Sequence, residues 1–188
     1  MTLYSSIFTA IVLCINSSLA PPKHYTHPVS IGILDIFGFE DMKHNSFEQL
    51  CINYANETLQ HFFVETVLKA QQEDYIAEGI SWETVAYDDN QPCLALIDKP
   101  LGVFGLLDEE CSIPGGTDSS FAQKLFKHHI VGHQPLLSRQ PRHGPSAFGI
   151  AHYAGQVCYR AEGFVVKNRD TTSSDVLALL TSSESALV

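Results

Sequence analysis

Val29-Ser-Ile-Gly-Ile-Leu-Asp-Ile-Phe-Gly-Phe-Glu40 is the stretch whose reading decides the fold. Val29 to Phe37 shows no polar alternation, so it predicts a strand buried on both faces, of the kind found inside parallel sheets. Open α/β sheets gather ligand-contacting groups at the carboxyl ends of such strands. There Asp35 can orient a metal-bound water, Gly38 lets its N–H approach an anionic phosphate, and Glu40 can anchor a second loop. A strand end with a turn glycine is the plainer reading of the same residues.

Upstream, Pro21, Pro22 and Pro28 bracket a connector that completes a first segment, 1–28. Leu3, Ile7, Ile11 and Ile15 form an i, i+4 stripe that predicts a packed helix. The run Ile7 to Ile15 followed by Ser17, Ser18, Leu19 and Ala20 also resembles a signal peptide, although no Lys or Arg precedes it and Pro21 follows the cleavage point. The sequons at Asn16 and Asn56 matter only if the chain is secreted. No stretch is long enough to span a bilayer.

Downstream of 29–40, Asn45 is placed as N-cap of a helix with Glu48 reaching back. Phe47, Leu50, Cys51, Tyr54, Leu59, Phe62, Phe63 and Val67 recur at helical steps, and the helix is expected to span 45–78, with Trp82 packing its end. Such a long element can transmit displacement. Asp88 to Pro92 is a turn, Cys93 to Ile97 a short helix, and Leu101 to Leu107 a second apolar stretch ending at Asp108, Glu109 and Glu110. Pro114, Gly115 and Gly116 break the chain before Phe121 to Phe126, giving a helix-loop-helix over 93–130. Gly132 to Pro145 reads as an exposed, mildly basic loop within 131–147. Phe148 to His152 and Val157 to Tyr159 flank Ala154-Gly155 as a hairpin, and helical patterning returns from Asp175 within 148–188.

The 188 residues, 45% hydrophobic and 17% charged, have the composition of one globular domain. A net charge of −10 argues against nucleic-acid binding, which needs clustered Lys and Arg. The five cysteines are scattered without zinc-ribbon spacing and read as reduced, structural thiols, Cys51 and Cys158 included. His128, His129 and His133 include an i, i+4 pair that could meet a metal with Cys111 or an acid, but helix-end histidines are the ordinary explanation.

Asp35-Ile-Phe-Gly-Phe-Glu40 resembles switch II of the myosins, and further blocks agree in order and spacing. Asn45-Ser-Phe-Glu-Gln-Leu-Cys-Ile-Asn-Tyr-Ala-Asn-Glu57 is similar to the start of the myosin relay helix, with Phe47, Glu48, Asn53, Asn56 and Glu57 at its matching positions. Leu101-Gly through Leu107-Asp-Glu-Glu-Cys111, then Pro114 and Thr117-Asp118, resembles the lower-domain helix-loop-helix that presses on actin. His152-Tyr-Ala-Gly155 with Val157, Tyr159 and Lys167-Asn-Arg-Asp170 matches a further block. Leu3-Tyr4, Ile7-Phe8, Ile11-Val12 and Ile15-Asn-Ser-Ser18 look like the helix preceding the switch II strand, which favours a cytosolic helix over a signal peptide. The chain is thus identified as a fragment resembling an unconventional myosin motor domain.

The resemblance implies an α/β fold of the P-loop NTPase type, mainly helical in this fragment, with one buried strand and a short hairpin. It also implies an actin-based cytoplasmic, cytoskeletal motor using MgATP, with light chains or calmodulin on a neck. In the family, the glycine matching Gly38 binds the γ-phosphate and the acid matching Asp35 supports Mg²⁺ through water. The acid matching Glu40 pairs with an Arg of switch I. The actin-facing positions are Leu107, Asp108, Glu109, Glu110, Ile113, Pro114, Thr117 and Asp118. Where the family tends to carry an aromatic before Pro and an Ala before Thr-Asp, this chain has Ile113 and Gly116; two adjacent glycines raise the entropic cost of a rigid loop.

No Gly-x-x-x-x-Gly-Lys-Ser/Thr phosphate loop and no switch I segment occurs in these residues. The chain alone is therefore expected not to be catalytically competent. A truncated, non-catalytic actin-binding or partner-binding protein is the alternative, and a secreted module a further one. A lone switch II strand should also expose its edges and aggregate. Because switch II supplies too few phosphate contacts by itself, calorimetric titration of the 188-residue chain with MgATP is expected to give no saturable heat. Saturable binding would show that the phosphate loop is dispensable.

Overall fold

The computed structural model describes residues 2–20, 31–129, 135–169 and 174–183. The chain divides into two compact units, Met1–Asp35 with Asp170–Val188, and Ile36–Arg169.

In the first unit, the apolar i, i+4 pattern forms helix α1, Thr2–Leu19, and the patterning after residue 173 forms a short helix at Ser174–Thr181. Ile7, Ile11 and Ile15 are exposed on α1. Among the described residues no helix is long and apolar enough to cross a membrane.

The buried strand expected over Val29–Phe37 is not formed. Val29 and Ser30 lie outside the described residues, and 31–40 has no regular secondary structure. Ile31 and Ile33 are 94% and 93% exposed, and Leu34, Ile36 and Phe37 are exposed too. A strand is held by its ladder, and the described residues contain only a three-stranded sheet whose strands pair with one another. That sheet is antiparallel throughout and does not include this segment.

The second unit is built on one long helical element in three parts: α2, Phe47–Phe63; a π-helical segment, Val64–Lys69; and α3, Ala70–Ala77. Ser46, not Asn45, is its N-cap, and Gln49, not Glu48, reaches back, its Oε1 accepting the Ser46 N–H at 3.0 Å. Asn45 is used elsewhere: its Oδ1 accepts the Met42 N–H and its Nδ2 donates to the Cys158 carbonyl, while its own carbonyl accepts the Arg160 N–H. The element stops at Gly79, whose φ of 68° lets the Ile80 N–H turn back onto Tyr75 O. As expected, Trp82 packs there, 4.9 Å from the Tyr75 ring, with Nε1 donating to Gln72.

Three helices follow, α4 (Gln91–Asp98), α5 (Val103–Ser112) and α6 (Asp118–His129). Then come β1 (Leu137–Arg139), β2 (Ala147–His152), β3 (Gly155–Arg160) and α7 (Phe164–Asn168), so that Ser174–Thr181 is α8. The hairpin β2–β3 is in place, with His152 opposite Gly155 across a two-residue turn. β1 corrects the exposed-loop expectation over 132–145. Residues 132–134 lie outside the described residues, but Leu137 is buried opposite Ile150, and the Arg139 guanidinium lies 4.4 Å from the Phe126 ring centre. A three-residue edge strand beside prolines carries too little periodicity to read.

The core gathers Leu50 of α2, Leu96 and Ile97 of α4, Leu106 and Leu107 of α5, and Phe121 and Leu125 of α6 against Phe148, Ile150, Tyr159 and Phe164. Phe121, Phe148 and Phe164 touch pairwise, and Phe47 and Tyr54 of α2 meet Phe104 of α5 edge to face. Leu125 is fully buried at this junction. Leu125→Ala is expected to cost about 2–5 kcal/mol of stability by urea unfolding, through lost burial and a residual cavity.

Candidate functional site

Glu40 leaves the irregular segment beside α2, where Asn53, fully buried, meets its main chain at two points. Asn53 Oδ1 accepts the Glu40 N–H at 2.8 Å and Nδ2 donates to the Glu40 carbonyl at 2.7 Å. The side-chain amide thus replaces the peptide partner that a sheet would supply. Asn56 Nδ2 donates to the Phe37 carbonyl at 3.0 Å, and Gln49 Nε2 lies 3.3 Å from Glu40 Oε2. Phe39 packs edge-on against His152 and Tyr153. Gly38 stands open, with nothing near the position a Cβ would take. Asp35 is exposed at the end of the other unit.

From Asn53 a buried polar chain runs across the second unit. Asn53 Nδ2 donates to Tyr159 Oη at 2.8 Å, Tyr159 Oη is 2.8 Å from His152 Nε2, and His152 Nδ1 is 2.9 Å from Glu57 Oε2. Since both Asn53 amide hydrogens are committed, the Tyr159 hydroxyl donates to Nε2, and Nδ1–H donates to the carboxylate. Neutral His152 with its proton on Nδ1 satisfies every group in that chain. Asn90 Nδ2 completes the set, reaching Glu57 Oε1 at 2.7 Å and the Glu57 carbonyl at 2.8 Å. Burial raises the Tyr159 phenol well above its usual range and does the same to the nearby Cys93 thiol, to which Glu57 adds repulsion. Among the described residues, Glu57, Cys93 and His152 are the group of His, Cys and acid side chains close enough to share a cation. His129 is used otherwise, its Nε2 lying 2.7 Å from the Leu101 carbonyl, and His133 lies outside the described residues.

The candidate actin-facing residues divide by burial. Leu107 and Glu110 are buried, while Asp108, Glu109, Ile113, Pro114 and Thr117 are exposed. Asp118 opens α6, and its carboxylate accepts the Gly163 N–H at 2.7 Å and the Val165 N–H at 2.9 Å. Glu110 braces the α5–α6 loop from beneath, bonded to Ser120 and the Thr117 N–H and paired with Lys124 at 2.8 Å. Burial alone would raise the Glu110 carboxyl, but Lys124, Ser120 and Thr117 together hold it below its usual range. On α2, the Lys167 ammonium, 2.7 Å away, likewise holds Glu48 low.

Sequence reasoning did not find Asn90, Cys93, His152 or Tyr159 as one site with Glu57. His152 follows Glu57 by 95 positions, and no spacing rule spans that distance. Tyr159→Phe leaves an Asn53 donor and His152 Nε2 without their shared partner, so it is expected to cost about 1–3 kcal/mol in urea unfolding. A folded carboxyl held low contributes stability above its unfolded pKa and loses it as pH falls through the folded value. Glu110→Gln should therefore be less stable than the parent at neutral pH, the gap shrinking as pH falls below 4.5; a pH series of urea midpoints checks this.

Comparison with known proteins matches the family model described as Myosin head (motor domain) over residues 1–188. The chain is 45% identical over 187 residues to the Myosin-I heavy chain of Dictyostelium discoideum, covering 99% of this chain and 8% of that one. It is 47% identical over 186 residues to the Myosin IA heavy chain of the same organism, covering 98% and 18%. With Unconventional myosin-VIIb of Mus musculus, identity is 47% over 186 residues, covering 97% and 9%. The chain thus spans at most 18% of the length of these three curated relatives.

Proposed function

Because the chain belongs to the myosin motor-domain family, we propose that it is the part of an actin-based, MgATP-driven motor that couples the nucleotide switch to the actin-facing surface. In this reading Asp35, Gly38 and Glu40 form switch II: Gly38 offers its N–H to the γ-phosphate, Asp35 supports Mg²⁺ through water, and Glu40 pairs with switch I. Phe47, Glu48, Asn53, Asn56 and Glu57 belong to the relay helix. Asp108, Glu109, Ile113, Pro114 and Thr117 present the actin-facing surface, while Leu107, Glu110 and Asp118 hold it in shape.

The observation that carries the proposal is the two-point grip of Asn53 on the Glu40 main chain. A displacement of Glu40 cannot leave α2 behind without breaking both bonds in a buried setting, where each is strong and costly to leave unmade. The same helix packs Phe47 and Tyr54 on Phe104 of α5, so movement of the switch is transmitted toward the α5–α6 loop. Gly38, with open space around it, is free to approach a phosphate.

The test uses the Dictyostelium Myosin IA heavy chain with this sequence replacing its matching segment. Asn53→Asp keeps the shape but turns an acceptor toward the Glu40 carbonyl and Tyr159. It is expected to lower actin-activated ATP hydrolysis by about tenfold or more, the equivalent of about 1.4 kcal/mol. Nucleotide binding should stay within about twofold, since no phosphate contact is lost. An unchanged actin-activated rate would overturn the coupling role of Asn53.

A further inference from the structure

Glu57, Cys93 and His152 come from three elements, α2, α4 and β2, and all are buried. Their ligand-capable atoms lie within 4.8 Å of one another. His152 Nδ1 is 3.7 Å from Cys93 Sγ and 2.9 Å from Glu57 Oε2. Around a tetrahedral zinc ion, bond lengths of about 2.3 Å to sulfur and about 2.0–2.1 Å to nitrogen and oxygen place such pairs roughly 3.3–3.6 Å apart. The two pairs that include His152 therefore lie within a few tenths of an ångström of a zinc ligand spacing, and Cys93 Sγ and Glu57, within 4.8 Å of each other, would have to close toward it.

Two independent features point to an occupant. Asn90 is only 7% exposed, and while its Nδ2 is committed to Glu57, its Oδ1 has no hydrogen-bond partner. A buried amide oxygen without a donor is costly, and a cation or a metal-bound water at this site would satisfy it. Asn90, Cys93 and His152 also line an open cavity of about 400 Å³, which supplies an entry path and room for that water.

We propose that Glu57, Cys93 and His152 form a zinc site whose fourth position is taken by Asn90 Oδ1 or by water from the cavity. A mixed thiolate, imidazole and carboxylate set suits Zn²⁺ and does not suit Mg²⁺ or Ca²⁺, which prefer oxygen alone. The surrounding bonds are those a metal site uses to orient its ligands: Glu57 Oε1 is held by Asn90 Nδ2 at 2.7 Å and by the Tyr153 N–H at 3.3 Å, and His152 Nε2 faces Tyr159 Oη at 2.8 Å. The protons balance simply. Zinc displaces the Cys93 thiol proton to solvent, and His152 stays neutral while exchanging its Nδ1 proton for one on Nε2. Because the thiol must lose its proton to bind, binding weakens as pH falls. Nε2–H then donates to Tyr159 Oη, which already accepts from Asn53, so the Tyr159 hydroxyl hydrogen gives up its acceptor and zinc binding costs the buried chain one hydrogen bond.

The test titrates the purified 188-residue chain with Co²⁺ as a spectroscopic stand-in. One equivalent is expected to give the intense visible bands of tetrahedral cobalt with a thiolate-to-cobalt charge-transfer band, both bleached by Zn²⁺. Cys93→Ser should abolish the charge-transfer band while the near-ultraviolet circular dichroism stays that of the parent. His152→Gln should lose the tetrahedral bands. No tetrahedral spectrum from the parent chain overturns the proposal, and so does a charge-transfer band that survives Cys93→Ser and disappears in Cys111→Ser.

Discussion

The second unit depends on a side-chain amide doing the work of a peptide. Glu40 belongs to a segment without a ladder, and its N–H and C=O would otherwise turn to water. Asn53 offers one acceptor and one donor at the spacing of a main-chain partner, and its second amide hydrogen continues to Tyr159. Since Asn53 has no solvent exposure, none of these bonds has an easy replacement. An irregular stretch of chain is thereby joined to a rigid helix.

That joint would mean little if α2 were free to slide, and the chain Tyr159–His152–Glu57 holds it to the β2–β3 hairpin. Below it, Leu50 enters the apolar core, and Phe47 packs on Phe164. Polar and apolar contacts thus act on the same helix turns, the first setting its register and the second supplying most of its stability. At the far end of the core, Glu110 and Asp118 repeat the device. Buried or half-buried carboxylates take up N–H groups of the α5–α6 loop and of the start of α7, leaving Ile113, Pro114 and Thr117 outward.

Much was legible in the chain because it was local. The i, i+3 and i, i+4 apolar steps from Phe47 onward predict the long helix, Pro114 with Gly115 and Gly116 separate α5 from α6, and Ala154-Gly155 marks the hairpin turn. Cap assignment failed by one residue because Asn45 and Ser46 are both good caps, and the choice fell to Cys158 and Arg160, whose main chains claim Asn45. The strand over Val29–Phe37 failed for a deeper reason, since apolar β-branched residues supply only the propensity and a ladder needs a second strand.

By itself the sequence determined the helical periods, the breaks between them and the family, because each is written in neighbouring residues or in an ordered set of short blocks. Only the tertiary structure decided that Asn53 grips Glu40, that Glu110 and Asp118 brace where they were expected to face outward, and that Glu57, Cys93 and His152 converge. Those contacts join residues far apart along the chain, and their worth comes from the exclusion of water, which exists only once the elements around them have packed.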